Sequence, residues 1–164
     1  MTGKSCFCVL LLLAAGCQAA FARLGESPQA IEQRYGPPLT TGSLTGFTQC
    51  AYQKQAFRIT VFYQNGISVL ETFTSRGMDQ ATAREVVVLV AASSIGSPDQ
   101  AQECKIRQAS GITNKDEVFW TWKNASQQVN AAFNPLECTL AFFGDPAVYA
   151  GVHEALANAP LPGG

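Results

Sequence analysis

Histidine is nearly missing from this 164-residue chain, which has one, His153. A single imidazole cannot build the common multi-histidine zinc sites, and there is no Cys-x-x-Cys pair to replace them. A nucleophile elbow of the Gly-x-Ser-x-Gly type is also absent: in Gly42-Ser43-Leu44-Thr45-Gly46 the serine sits one place early. Glycine-rich phosphate loops do not occur. Charged residues make up 14% of the chain, 11 basic against 12 acidic, and they form no blocks. Such a balance leaves no electrostatic footprint for nucleic acid or anionic lipid. No cofactor, no metal and no nucleic-acid partner is therefore expected.

What is present begins at the N-terminus. Lys4 supplies a positive start, Phe7 to Ala15 a short apolar core, and Ala20-Phe21-Ala22 a small-x-small cleavage site. This is the pattern of an export signal. The apolar run falls short of the ~20 residues of a permanent span, so residues 1–22 are expected to be removed, leaving 23–164 as one domain of ordinary size. Leu13-Ala14-Ala15-Gly16-Cys17 resembles a lipobox, in which the cysteine is acylated and becomes the mature terminus. Two outcomes stay open: an exported, periplasmic or secreted domain starting at Arg23, or an envelope protein anchored to the membrane through Cys17.

Three of the six cysteines, Cys6, Cys8 and Cys17, lie in that segment. Of the others, Cys138 falls in the alternating series Leu136, Cys138, Leu140, Phe142, which points it at a core as a small hydrophobe. Cys50 and Cys104 are then the candidate disulfide of a compartment that permits one.

Local signals predict the elements. Within Leu24 to Leu39, Ser27 is an N-cap, Pro28 suits the first helical position, Ile31 and Tyr35 share a face, and Gly36-Pro37-Pro38 stops the helix. Thr40 to Gly46 reads as a polar loop. Gln49 to Lys54, Phe57 to Tyr63 and Ser68 to Thr74 read as strands, the last two joined by the hairpin signal Asn65-Gly66. Asp79 to Ser94 has the β-branched run Val86-Val87-Val88-Leu89-Val90, yet Asp79 can cap it and Thr82-Ala83-Arg84-Glu85 has capping-box spacing, so a fully buried helix is expected. The long polar connection Ile95 to Lys115 calls for a strand or turn around Cys104 to Gln108. Alternation at Val118, Trp120 and Trp122, then at Val129, Ala131 and Phe133, then from Leu136 to Phe142, gives a second meander. Asp145-Pro146 opens a last helix through Leu156, and 157–164 reads as a flexible tail. The expected fold is α+β: helix, three-stranded antiparallel meander, helix, three-stranded antiparallel meander, C-terminal helix.

Leu24-Gly25-Glu26-Ser27, Ile31 and Tyr35-Gly36-Pro37-Pro38, followed by the Phe57 to Phe73 hairpin, resemble small exported bacterial proteins of unassigned function. The same residues are similar to the opening of the SmpA/OmlA-type lipoprotein of the outer-membrane assembly machinery and of β-lactamase-inhibitor protein. Those families begin a helix with Gly-x-Thr, where this chain has Ser27, and end it with Gly-x-Pro. The resemblance covers about fifty residues and implies a helix-plus-antiparallel-sheet fold that binds other proteins with its sheet face or loops.

Remaining chemistry is sparse. His153 on the last helix reads as structural or exposed, and a Cys–His pair has no orienting Asn or Asp marked by any motif. Glu71 shares a predicted strand face with Val69 and Phe73; it reads as a strand-edge or solvent-facing carboxylate, the alternative being a carboxyl perturbed by apolar neighbours. Trp120 and Trp122 fall on one face and read as core, the alternative being a stacking platform with Arg58 and Lys123. The expectation is a non-enzymatic exported domain that binds a protein or envelope component, such as another exported protein or an outer-membrane protein. The alternative is a small periplasmic hydrolase or small-ligand-binding module whose site is assembled only by the fold.

Overall fold

The computed structural model describes residues 24–95, 107–110, 118–123 and 128–159, without the side chains of 92–95, 107–110, 122 and 123. The predicted signal segment with Cys17, the sequence around Cys104, and residues 160–164 lie outside the described residues.

Helix α1 (Pro28–Tyr35) starts where its punctuation predicts. The Ser27 hydroxyl accepts from the Ala30 N–H at 3.4 Å, and Pro28 occupies the first turn. Gly36, at φ +87°, ends it and donates its N–H to the Glu32 carbonyl at 2.8 Å. Strands β1 (Thr40–Leu44), β2 (Phe47–Lys54), β3 (Phe57–Gln64) and β4 (Ile67–Thr74) follow as an antiparallel meander. The expected polar loop from Thr40 to Gly46 is therefore a strand and a turn. Thr40 to Ser43 are all exposed, so burial imposes no alternation on their sequence and none was there to read. Asn65-Gly66 makes the predicted hairpin, with φ of 53° and 79°, the positive pair that a type I′ turn requires.

Helix α2 (Gln80–Ile95) is capped by Asp79, whose carboxylate accepts from the Thr82 N–H at 2.8 Å. Thr82 thus receives the cap and does not supply one. Ala83, Val86, Val87, Val90 and Ala91 are buried, while Val88 and Leu89 are close to half exposed. The helix is one-sided, not buried all round, because 3.6 residues per turn carry Val88 and Leu89 to its outer surface.

Strands β5 (Arg107–Ser110), β6 (Val118–Lys123), β7 (Gln128–Asn134) and β8 (Thr139–Phe143) form the second meander, and helix α3 (Pro146–Ala157) closes the chain. The Asp145 carboxylate caps α3 through the Ala147 N–H at 2.8 Å. Strand β8 starts three residues later than the alternation suggests. The Asn134 side chain accepts from the Leu136 and Glu137 N–H groups, and Cys138 adopts φ +49°, so 135–138 are a turn. Cys138 is consequently half-buried at the margin of the core, not within it, and Leu136 is exposed.

Among the described residues the element order is helix, four strands, helix, four strands, helix, and both meanders belong to one antiparallel sheet of eight strands in the order β1-β2-β3-β4-β8-β7-β6-β5. Read outward from the central β4–β8 pair, the two halves repeat one plan. Helices α1 and α2 cover the same face: Ile31 and Tyr35 from the first, and Ala83, Val86, Val87 and Val90 from the second, join one core with Ile59, Val61, Phe73, Trp120, Phe133 and Phe142. The other face carries α3, where Val152 packs with Phe62, Leu70, Phe119, Ala132 and Phe143. Leu44, on edge strand β1, also reaches this second cluster.

Candidate functional site

Polar groups gather under α1. Glu71 is fully buried on β4, a central strand, opposite Val61 on β3 and Phe142 on β8. This overturns its reading as a strand-edge or solvent-facing carboxylate, and the reason is that β8 covers the flank of β4 left open in a three-stranded meander. The Tyr35 hydroxyl donates to Glu71 Oε2 at 3.0 Å. Arg34 Nη1 lies 3.9 Å from Glu71 Oε1 and donates to the Tyr35 oxygen at 3.4 Å, while Arg34 Nη2 pairs with Glu26. Glu26 is held in turn by backbone pairing: its carbonyl accepts from the Ser68 N–H at 2.9 Å, and its N–H donates to the Ser68 hydroxyl at 3.1 Å. Burial, and then the negative charge of Glu71, push the Tyr35 phenol far above its usual range, against the opposing effect of Arg34. The phenol stays a donor, and the network fastens α1 to the sheet.

Beside it the Tyr52 and Tyr63 hydroxyls meet at 3.0 Å. Burial pushes Tyr52 up to about 12, and burial together with the hydrogen bond it shares with Tyr52 raises Tyr63 further. Tyr63 and Cys50 form the floor of an open cleft of about 550 Å³ between the start of α1 and the ends of β1, β2 and β3. Its walls include Pro28, Glu32, Thr41, Ser43 and Phe47. The Cys50 thiol is buried and lies 3.6 Å from the Thr41 hydroxyl. Cys50 forms no disulfide among the described residues, and Cys104, its candidate partner, lies outside them.

His153 is exposed on α3, with its ring 4.5 Å from that of Tyr149, which stacks on Phe143 at 4.4 Å. It belongs to the face opposite Cys50 and Glu71, so the sheet separates the histidine from both the thiol and the buried carboxylate. Trp120 is 3% exposed within the main core, and Arg58 is an exposed residue on β3 whose neighbours Gln53 and Thr74 lie off that core. The stacking platform is thus not assembled from them; the side chain of Trp122 lies outside the described residues. Sequence reasoning missed Arg34, Tyr35 and the Tyr52–Tyr63 pair as site residues. The available signal was the alternation that set Glu71 on the face of Phe73.

No family model matches the chain, and no curated protein matches its sequence. Solved structures with a partial likeness to the chain include the following two. One is a cysteine-rich secretory protein from Staphylococcus aureus subsp. aureus Mu50, at a TM-score of 0.42 and 7% identity over 76% of this chain and 46% of that one. The other is an extracellular protein containing an SCP domain from Bacillus anthracis str. Ames, at a TM-score of 0.40 and 10% identity over 77% of this chain and 45% of that one. The chain therefore spans less than half the length of each. Among the described residues no helix is long and apolar enough to cross a membrane, and no cluster of His, Cys, Asp and Glu is arranged to hold a metal ion.

Proposed function

We propose that this chain is an exported, non-catalytic domain that binds a protein or another component of the cell envelope. The observation that carries this reading is the fate of Glu71, the fully buried carboxylate among the described residues. Glu71 is engaged by Arg34 and the Tyr35 hydroxyl in seating α1, and it does not line the cleft. The histidine that could assist a thiol or carboxylate sits across the sheet from both. Catalysis by a Cys–His or Glu–His pair needs those groups within about 3 Å of one another. The resemblance of Gly25 to Pro38 to outer-membrane-assembly lipoproteins and to β-lactamase-inhibitor protein agrees with a binding role for an α1-plus-sheet scaffold.

The export-signal pattern of residues 1–22 supports a partner in the envelope, and the test follows from it. The full-length chain, expressed in a bacterium with two membranes, is fractionated, cross-linked in intact cells and recovered through a C-terminal tag. The mature terminus is read by mass spectrometry: a free Arg23 or an acylated Cys17 supports export, and an intact Met1 in the cytoplasm overturns it. A discrete cross-linked envelope protein, retained by the Cys50→Ser and His153→Ala variants, supports binding without catalysis. Turnover of an ester, peptide or glycoside substrate that either variant abolishes would favour the hydrolase reading instead.

A further inference from the structure

Among the described residues the sheet ends on β5, four residues long, at one side and on β1 at the other. Strand β1, Thr-Thr-Gly-Ser-Leu, has five residues with no charge and no proline. It runs in unbroken register with β2 from Thr40↔Ala51 to Leu44↔Phe47. Its first four residues are exposed, and Leu44 is packed into the α3 cluster, which holds the strand in place. An antiparallel edge strand of this form turns half of its N–H and C=O groups away from the sheet.

The cleft adjoins this edge. Thr41 and Ser43, alternate residues of β1, line it, and Glu32 on α1 is the charged side chain among the described residues that surround it. A strand added to β1 would point every second side chain to the face that carries α1, at the margin of the cleft that Glu32 lines.

We propose that β1 is a strand-addition site that takes an extended segment of a partner protein, with a lysine or arginine at the position facing Glu32. This rests on the binding reading given above and specifies its mode. A second copy of the chain is a poor occupant. Its β1 has no basic residue, so pairing two copies through that strand would bring two Glu32 carboxylates to one face of a continuous sheet with no cation from either strand.

The probe is a seven-residue synthetic peptide in which threonine alternates with lysine and valine, compared with the same peptide carrying glutamate for lysine. Binding to the full chain is followed by titration, and the contact by amide hydrogen exchange. The expected result is slowed exchange at residues 40–44 and binding of the lysine peptide about threefold or more tighter than the glutamate peptide, as a partly exposed ion pair allows. Glu32→Lys, a surface change on α1, reverses that preference, and Ser43→Lys, which puts a charge on the edge, weakens both peptides. Equal binding of the two peptides, no binding, or protection away from 40–44 would overturn the proposal, as would a dimer of the free chain protected at 40–44. Cross-linking of an envelope protein through residues remote from β1 would also overturn it while leaving the binding function intact. Peptide protection at 40–44 without any cross-linked envelope protein would keep the surface and remove the envelope role.

Discussion

The two halves of the sheet share a plan and differ in what they bury. In the first, α1 lies over Glu71 with Arg34, Tyr35 and Glu26, and the tyrosine pair of Tyr52 and Tyr63 sits beside them. In the second, α2 contributes Ala83, Val86, Val87, Val90 and Ala91 to a core that contains Trp120, Val129, Ala131 and Phe133. A helix of eight residues offers little apolar area, with Ile31 and Tyr35 as its buried side chains, whereas α2 has sixteen residues, with five buried among its described side chains. Charge and hydrogen bonds therefore do for the short helix what area does for the long one. The contrast teaches that a buried ion pair here marks the seating of an element, because its groups are specific to one docking geometry. Apolar area is less particular about geometry.

Breaking the ionic half should cost most. Arg34→Ala leaves Glu71 and Glu26 without the guanidinium that lies between them, and an uncompensated buried charge typically costs about 3–5 kcal/mol. A denaturant melt should show that loss. The quadruple change Glu26→Leu, Arg34→Met, Tyr35→Phe, Glu71→Leu should recover most of it, since it replaces every member of the set with apolar groups and turns the first half into a copy of the second half's solution. If Arg34→Ala melts like the parent, the network does not seat α1.

Breaking the apolar half should cost slightly less and behave differently. Trp120→Ala removes a side chain 3% exposed, with an expected loss of about 3–4 kcal/mol from lost transfer energy and the cavity left behind. The loss should be graded by volume, so that Trp120→Phe costs less than Trp120→Leu and much less than Trp120→Ala. No second substitution in the ionic half should rescue it. An unchanged melting temperature for Trp120→Ala would move the residue out of the core.

The same division explains what could be read in the sequence. Helix starts at Ser27-Pro28, Asp79 and Asp145-Pro146, and the hairpin at Asn65-Gly66, are local chemistry and were legible, because a cap or a positive φ is satisfied within a few residues. The apolar half was legible too, since burial on one face enforces alternation at Trp120, Ala131 and Phe133. The ionic half was not: Tyr35 and Glu71 are 36 residues apart, and the burial of Glu71 depends on β8, which comes from the far end of the chain. Strand β1 was hidden for the opposite reason, as four exposed residues carry no burial pattern. The turn at Cys138 was hidden by Asn134, whose side chain ends the alternation without altering its apolar sequence.

Alkaline pH offers the finest test of the comparison, because the three tyrosines raised by burial, Tyr35, Tyr52 and Tyr63, all lie in the first half. An unfolded tyrosine ionises near pH 10, whereas Tyr52 in the folded chain holds its proton up to about 12 and the other two hold theirs beyond that. Between those values the native state binds more protons than the unfolded one, so stability falls as pH rises. The contribution of these phenols is complete below pH ~10 and declines from there through the value for Tyr52. Melts from about pH 8 to about pH 12, with phenolate absorbance recorded alongside, should show a progressive loss that Tyr63→Phe makes shallower. Trp120→Ala, acting away from Tyr35, Tyr52 and Tyr63, should lower the whole curve and leave the slope due to these phenols unchanged. A slope that Tyr63→Phe leaves as steep as before would mean that the phenols of the first half ionise freely in the folded chain, and with that the distinction between a hydrogen-bonded half and an apolar half would fail.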